Sequence, residues 1–452
     1  MQKIAIQGAG FVGSAFSIAC ASAKRNNRFI FNVSIIEKEN QKNLIDKINK
    51  GIFPFETDDK KLSKLIKTHI NKNLFCSTSI NEYKKANVIV SCIGFDCNLT
   101  KESFKKNRDE FLKNIKEIAR NMQRNCLLII QTTLPPGFTN SYIKPVIEEE
   151  FKKRKISTKN LLLAHSFERV MPGSNYFNSI VNNWRICGAI NKKTIKKSHN
   201  FFSKFINLKK YPIKYFDDPI YSETAKILEN TYRAVNISFI DEWSRFAENI
   251  DVNLYDIINT IKVRPTHNNL MFPGFGVGGY CLTKDPKFID ASSKFIFNNQ
   301  KLKFPHTKSA LLINKKMPNT IFQKMSNYFS NNLKNKKILI LGVSYKDGVA
   351  DTRKTPTEKL YLSLKKSGSI VDLQDPLVKY WSEQKIKISK KIPEFNNYDA
   401  IVFATNHKQY SKINLKKKIL QRKILIVDAI NLIKDKFRTN FKKNIKLITI
   451  GK

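Results

Sequence analysis

Apolar residues along this chain fall into short runs separated by longer amphipathic stretches. Residues 3–7 (KIAIQ) form one such run and lead straight into three closely spaced glycines. Residues 11–24 follow with the 3.6-residue period of a helix, and residues 31–39 (FNVSIIEKE) read as a second strand. Together they open a βαβ unit. Further buried strands are predicted at 86–94 (ANVIVSCIG), 126–133 (CLLIIQTT), 161–166 (LLLAHS) and 183–190 (NWRICGAI), with a charged helical stretch between the first two. Strands alternating with helices predict a parallel, doubly wound sheet covered on both faces.

The pattern changes after about residue 217. Residues 218–250 carry a helical apolar period in which Ile227, Leu228, Tyr232, Val235, Ile237, Phe239 and Ile240 fall on overlapping faces. That predicts a long helix buried on much of its circumference. Residues 253–262 continue as a second helix, and residues 264–286, rich in Gly and Pro, read as a functional loop. From about residue 335 the α/β pattern returns. A strand lies in KKILILGVSYK, a helix in TPTEKLYLSLKKSG, and further strands in SIVDLQDP, YDAIVFATNH and KILIVDAIN. The expected fold class is therefore α/β, with two Rossmann-like doubly wound domains, at 1–205 and 330–452, joined by a central helical segment at 206–315. No 20–50 residue repeat is present, so a solenoid is not supported.

Composition narrows the class. At 452 residues and 41% hydrophobic, the chain can build several buried cores. No apolar run reaches the 18 residues of a membrane span, and the opening MQKIAIQGAG is a strand and turn rather than a signal peptide, so a cytoplasmic protein is expected. The cysteines Cys20, Cys76, Cys92, Cys97, Cys126, Cys187 and Cys281 are scattered and include no CxxC pair, which supports neither a metal site nor a disulfide framework. Six read as small buried hydrophobes. The net charge of +44 is spread in short clusters such as Lys60-Lys61 and Lys416-Lys417-Lys418, without a basic tail. It predicts an anion-attracting surface rather than a specific nucleic-acid partner.

Two segments carry chemistry. Gly8, Gly10 and Gly13 frame Phe11 and Val12 between a strand and a helix. Such glycines let a backbone approach a pyrophosphate, which rests on the helix N-terminus. Glu37 ends the second strand, where a carboxylate takes the ribose hydroxyls and repels a 2′-phosphate, so the expected cofactor is NAD. The second segment is PGFGVGGYCLTKD, in which Gly274, Phe275, Gly276, Gly278 and Gly279 form a ligand-wrapping loop ahead of Cys281. A thiol there can add to an aldehyde, and the thiohemiacetal, once oxidised, leaves a thioester for water to cleave. Asp285, four residues on, can steer that water. On the long helix, Lys226 and Asn230 are i, i+4 and share a face, where they can hold an alkoxide.

Seven blocks in order, GAGFVG (8–13), INKGIFPFE (48–56), QTTLPPGFT (131–139), ERVMPG (168–173), AKILENTYRAVNISFIDE (225–242), PGFGVGGYCLTKDP (273–286) and GVSYKDGVADTRKTPT (342–357) with its later QDP (374–376), resemble the UDP-glucose/GDP-mannose dehydrogenase family. The ERV block is more similar to the branch acting on UDP-N-acetylhexosamines. The resemblance implies an NAD-dependent, four-electron oxidation of a UDP-sugar at C6, a homodimer built on the central helices, and a product used in envelope polysaccharide synthesis. It implies that Cys281 is the nucleophile, that Lys226 and Asn230 stabilise the oxyanion, and that Asp285 organises the water. Glu168 assists proton transfer, and Thr133 lies beside the nicotinamide. It also implies that Lys346 contacts substrate, that Arg353 contacts the cofactor or links domains, and that Arg264 reaches a neighbouring subunit's substrate. The chain departs from the family pattern at Gly94-Phe95-Asp96, Phe167, Phe272 and Tyr280.

Three alternatives stay open at this stage. UDP-glucose or GDP-mannose is the substrate; the enzyme is a two-electron hydroxyacid dehydrogenase, which leaves the third region and Cys281 unexplained; or the chain is a basic binding protein, which lacks any interleaved stacking aromatics.

Overall fold

A computed structural model describes residues 1–96, 99–415, 423–433 and 445–452. Cys97 and the Lys416-Lys417-Lys418 cluster lie outside them. The chain divides into two compact units, residues 1–229 with 287–303, and residues 230–286 with 304–452.

The first unit is built on an eight-stranded sheet. Its strands are β1 (Gln2–Gln7), β2 (Phe31–Ile36), β3 (Leu74–Ser77), β4 (Val88–Ser91), β5 (Leu127–Ile130), β6 (Leu162–His165), β7 (Arg185–Ala189) and β8 (Ile213–Phe216), in the order β8-β7-β6-β5-β4-β1-β2-β3. The sheet is parallel through β6, as expected. β7 then pairs antiparallel to β6, and β8 runs with β7. The central strands are buried on both faces. One apolar layer packs α1 (Phe11–Ala21) through Phe16, Phe31 and Phe201; the other packs α2 (Lys101–Asn121) and α3 (Lys144–Lys153) through Phe111, Ile115, Phe138 and Phe151. Each such side chain contributes roughly 1.5–3 kcal/mol by leaving water. Cys20, Cys76, Cys126 and Cys187 are buried, Cys92 is half-buried, and Cys281 is exposed.

The second unit carries a five-stranded parallel sheet of β9 (Lys337–Leu341), β10 (Ile370–Gln374), β11 (Ala400–Phe403), β12 (Ile424–Asp428) and β13 (Ile445–Thr449), ordered β10-β9-β11-β12-β13. In each sheet the strand order reverses beside the first strand, between β1 and β4 and between β9 and β11. Such a reversal leaves a crevice at the carboxyl ends of the strands, where ligands bind in open α/β sheets.

The helix α4 (Pro219–Asn249) runs from the first unit into the second and is followed by α5 (Leu254–Ile261). The expected burial on much of its circumference is met on one face in the single chain, and another face stays open. Ile227 and Ile240 are buried, but Leu228 is 67% exposed, Tyr232 52% and Phe239 49%, and Trp243 and Phe246 extend the exposed apolar stripe. The apolar period marks two faces, and a single chain covers only one of them.

Candidate active site

β1 ends in a turn that only glycine can build at two points. Gly8 has φ +93°, and a Cβ on Gly13 would lie 1.9 Å from the Gly8 carbonyl oxygen. A Cβ on Gly10 would meet nothing within 4 Å, so this residue faces open space. α1 starts at Phe11 with no side-chain cap and no acidic residue in its first turn, leaving its positive end for an anion. The Glu37 carboxylate accepts from the Ala9 N–H at 2.7 Å and the Lys38 N–H at 2.9 Å, which fixes it over the turn. Phe55 stacks on Phe11 at 3.9 Å, and the Tyr176 hydroxyl donates to the Phe11 carbonyl. A dinucleotide fits this turn: the pyrophosphate would rest at Gly10–Val12 and the ribose at Glu37.

A second group in the same unit surrounds Lys226. Its ammonium is buried, donates to the Glu168 carbonyl at 3.4 Å and lies 5.2 Å from the centre of the Phe167 ring. The Glu168 carboxylate is also buried and is gripped by Arg185 Nη2 at 2.6 and 2.8 Å. Arg185 in turn lies over the rings of Phe16 and Phe202. Thr133 is half-buried beside Thr132, whose carbonyl accepts from His165 Nε2 at 2.9 Å. The other ring nitrogen of His165 meets the Ser222 hydroxyl at 2.9 Å, so Nδ1 is the acceptor. Burial lowers the His165 pKa to about 4, and the ring is neutral. Next to Ser222, the buried Glu223 carboxylate takes the N–H groups of Gly137 (2.6 Å) and Thr139 (2.8 Å) and the Thr139 hydroxyl (2.6 Å). Burial pushes Glu223 up to about 7 against those donors. His165 and Glu223 thereby fasten the 131–139 loop to the first turns of α4, just before Lys226.

In the second unit the glycine-rich loop is shaped by what stands behind it. Gly276 and Gly279 have φ +156° and +74°. A Cβ on Gly276 would fall 2.8 Å from Pro356, and one on Gly278 or Gly279 would fall 2.5 or 2.7 Å from Tyr345. The Gly279 N–H donates to the Arg353 carbonyl at 3.0 Å. The short helix α6 (Tyr280–Lys284) follows, with Cys281 exposed on it. Arg353 and Lys354 lie 4.7 and 5.0 Å from the Tyr280 ring centre, and Arg353 is paired with Asp351. Asp285 is buried and accepts from the Asn230 amide at 2.7 Å, with the Lys284 ammonium at 3.7 Å. Lys346 is half-buried, and Arg264 is exposed. Phe275 packs into the apolar core of this unit with Ile321, Leu360 and Leu425, so its side chain anchors the loop and its backbone is left for a ligand.

Residues 2–206, 221–316 and 339–435 match, in turn, the NAD binding domain, the central domain and the UDP binding domain of the UDP-glucose/GDP-mannose dehydrogenase family. The chain belongs to that family. It is an NAD-dependent nucleotide-sugar dehydrogenase, an oxidoreductase. It is 30% identical over 361 residues to the UDP-N-acetyl-D-mannosamine dehydrogenase of Methanocaldococcus jannaschii, covering 80% of this chain and 77% of that one. It is 29% identical to the enzyme of that name from Methanococcus vannielii, covering 100% of this chain and 98% of that one. Its fold matches the UDP-D-ManNAc dehydrogenase structure from Pyrococcus horikoshii with a TM-score of 0.80 at 25% identity, covering 100% of this chain and 99% of that one. Among the described residues of this dehydrogenase no cluster of His, Cys, Asp or Glu suits a metal ion, and no helix is long and apolar enough to cross a membrane.

Sequence reasoning missed Arg185, His165 and Glu223. Arg185 lies near the start of the strand predicted at 183–190, where a lone arginine reads as a solvated end. Glu223 sits in the same helical block as Lys226, and its three-residue offset was the available signal.

Proposed function

We propose that this dehydrogenase converts the C6 alcohol of a UDP-N-acetylhexosamine, UDP-N-acetylmannosamine first, to the uronate in two two-electron stages. The observation that carries the reading is Cys281: an exposed thiol at the end of a ligand-wrapping glycine loop, one helical turn before a buried Asp285–Asn230 pair. Bound NAD would supply the hydride acceptor for both stages, two per sugar. Lys226 holds the C6 oxygen as it loses its proton, in a buried setting where an ammonium is worth more than in water. The aldehyde then takes the Cys281 sulfur at C6. Oxidation of that thiohemiacetal gives a thioester, and a water steered by Asp285 replaces the sulfur, returning the thiol and releasing the carboxylate. Asn230 fixes the Asp285 carboxylate for this step. Glu168, held by Arg185, assists proton transfer during thioester hydrolysis, and Thr133 borders the nicotinamide. Lys346 binds the substrate, and Arg353 contacts the cofactor or links the domains. The names of the relatives support the choice of sugar.

The exposed stripe Leu228, Tyr232, Phe239, Trp243 and Phe246 supports a homodimer through α4, with Arg264 reaching the partner's substrate. Tyr232→Glu with Trp243→Glu is expected to halve the mass in sedimentation equilibrium.

The test is a substrate panel of UDP-N-acetylmannosamine, UDP-N-acetylglucosamine, UDP-glucose and GDP-mannose with NAD, read as NADH. UDP-N-acetylmannosamine is expected to give the highest kcat/KM. No NADH with any of the four would overturn the reading. Cys281→Ser is expected to retain the first oxidation and slow the second.

A further inference from the structure

A Ser, a His and an Asp meet in the second unit. Ser344, His407 and Asp375 are each no more than 1% exposed. Ser344 Oγ lies 2.9 Å from His407 Nε2 and 3.0 Å from Asp375 Oδ2, and the same Nε2 lies 3.2 Å from Asp375 Oδ2. This is not a nucleophilic triad. A triad places hydroxyl and carboxylate on opposite nitrogens of the imidazole. Here both sit at Nε2, and Nδ1 accepts from the Gly348 N–H at 3.4 Å. Nε2 therefore carries the proton and donates it to the carboxylate.

What the cluster does is tie a turn. Asp375, just after β10, also accepts from the Val343 and Ser344 N–H groups at 2.9 and 3.0 Å through Oδ2, and from the Leu377 and Val378 N–H groups at 2.9 and 3.0 Å through Oδ1. Burial works to raise the Asp375 carboxyl, but the bonds from His407 and the backbone outweigh it and bring it to about 2. The carboxylate is ionised and fully committed. His407, from beyond β11, closes the arrangement: one nitrogen reaches the carboxylate at the base of the turn and the other reaches Gly348 at its far end. Thr405 adds a bond from its hydroxyl to the Ser344 carbonyl at 2.7 Å. The residues enclosed between Ser344 and Gly348 include Lys346. The turn lies at the carboxyl end of β9, beside the reversal of strand order, in the domain that matches UDP binding.

We propose that His407 is a positioning residue for the nucleotide half of the substrate, acting through Asp375 and Ser344 to hold the Lys346 turn in its UDP-binding shape. This rests on the reading of that turn as part of the UDP-sugar site. The experiment is calorimetric titration of the full chain with UDP, together with steady-state kinetics. His407→Leu is expected to weaken UDP roughly tenfold and to raise KM for the nucleotide sugar similarly, the scale of one lost buried hydrogen bond. kcat and KM for NAD are expected to stay within about twofold, a split that a general loss of folding would not produce. His407→Gln, which can return an N–H to Asp375, is expected to recover part of the affinity. If His407→Leu does not fold, Ser344→Ala, which removes a single donor, is read the same way with a loss of about threefold. Wild-type protein that does not bind UDP overturns the site reading and the clamp with it. Wild-type binding with an unchanged variant, or equal losses for UDP and NAD, overturns the clamp alone.

Discussion

Gly8 and Gly342 occupy equivalent places in the two sheets. Each follows the first strand of its sheet with positive φ, +93° and +109°, and each donates its N–H to the last residue of the neighbouring strand, Ile36 or Gln374. Each turn is also tied by a carboxylate from just beyond that neighbouring strand, Glu37 to the Ala9 N–H and Asp375 to the Val343 and Ser344 N–H groups. From there they diverge. Among the described residues Glu37 is half-exposed and bonds Ala9 and Lys38 alone, whereas Asp375 is sealed by backbone, Ser344 and His407. After Gly8 the chain enters helix α1 at Phe11; after Gly342 it runs through a long loop with Lys346 and Arg353 before its helix (Pro356–Lys366) begins. One plan thus shapes two turns. In the first sheet the carboxylate stays half-exposed beside an uncapped helix end. In the second the carboxylate is spent on shaping the loop that carries Lys346.

Substitution of the two carboxylates is expected to separate these roles most sharply. Asp375→Ala strands several buried donors and should cost at least about 3 kcal/mol of stability in a denaturant titration. Glu37→Ala should cost under about 1 kcal/mol but raise KM for NAD about tenfold or more and narrow its advantage over NADP. Equal stability losses would break the comparison. Next in size, Gly13→Ala forces a carbon against the Gly8 carbonyl and is expected to lose roughly 2–3 kcal/mol, while Gly10→Ala leaves stability within about 0.5 kcal/mol. NAD binding should fall in both.

The smallest expected effect is a slope with pH. The stability contributed by the depressed His165 is present above its unfolded pKa near 6.5 and lost as pH falls through about 4. That of Glu223, raised to about 7, is present below about 4.5 and lost as pH rises through 7. The two oppose each other across the same window. Glu223→Gln should leave the His165 slope exposed, so that Tm rises with pH between about 4.5 and 6.5; an unchanged profile would count against it.

Much of the first turn was legible in the chain, because Gly8, Gly10, Gly13 and Glu37 lie within one βαβ unit whose periodicity is strong. The long helix, the Cys281 loop and its Asp285 were equally local. What escaped the sequence was set by tertiary pairing. The half-exposed strands β8 and β13 carry weak alternation, and the antiparallel entry of β7 has no local signature. The helix at Pro305–Tyr328 contains Pro318 and many lysines, which blur its period. Glu168 and Arg185, or Ser344, Asp375 and His407, are joined only by the fold. The exposure of Leu228 and Phe239 could not be read from apolar periodicity, which marks a face without saying what covers it.

The central claim is that Cys281 carries the sugar through a second oxidation. Limiting UDP-N-acetylmannosamine with excess NAD, followed to completion by absorbance, measures it directly. The account predicts two NADH per sugar with the native chain and no uronate with Cys281→Ala. One NADH per sugar, or uronate formed at the native rate without the thiol, would contradict it.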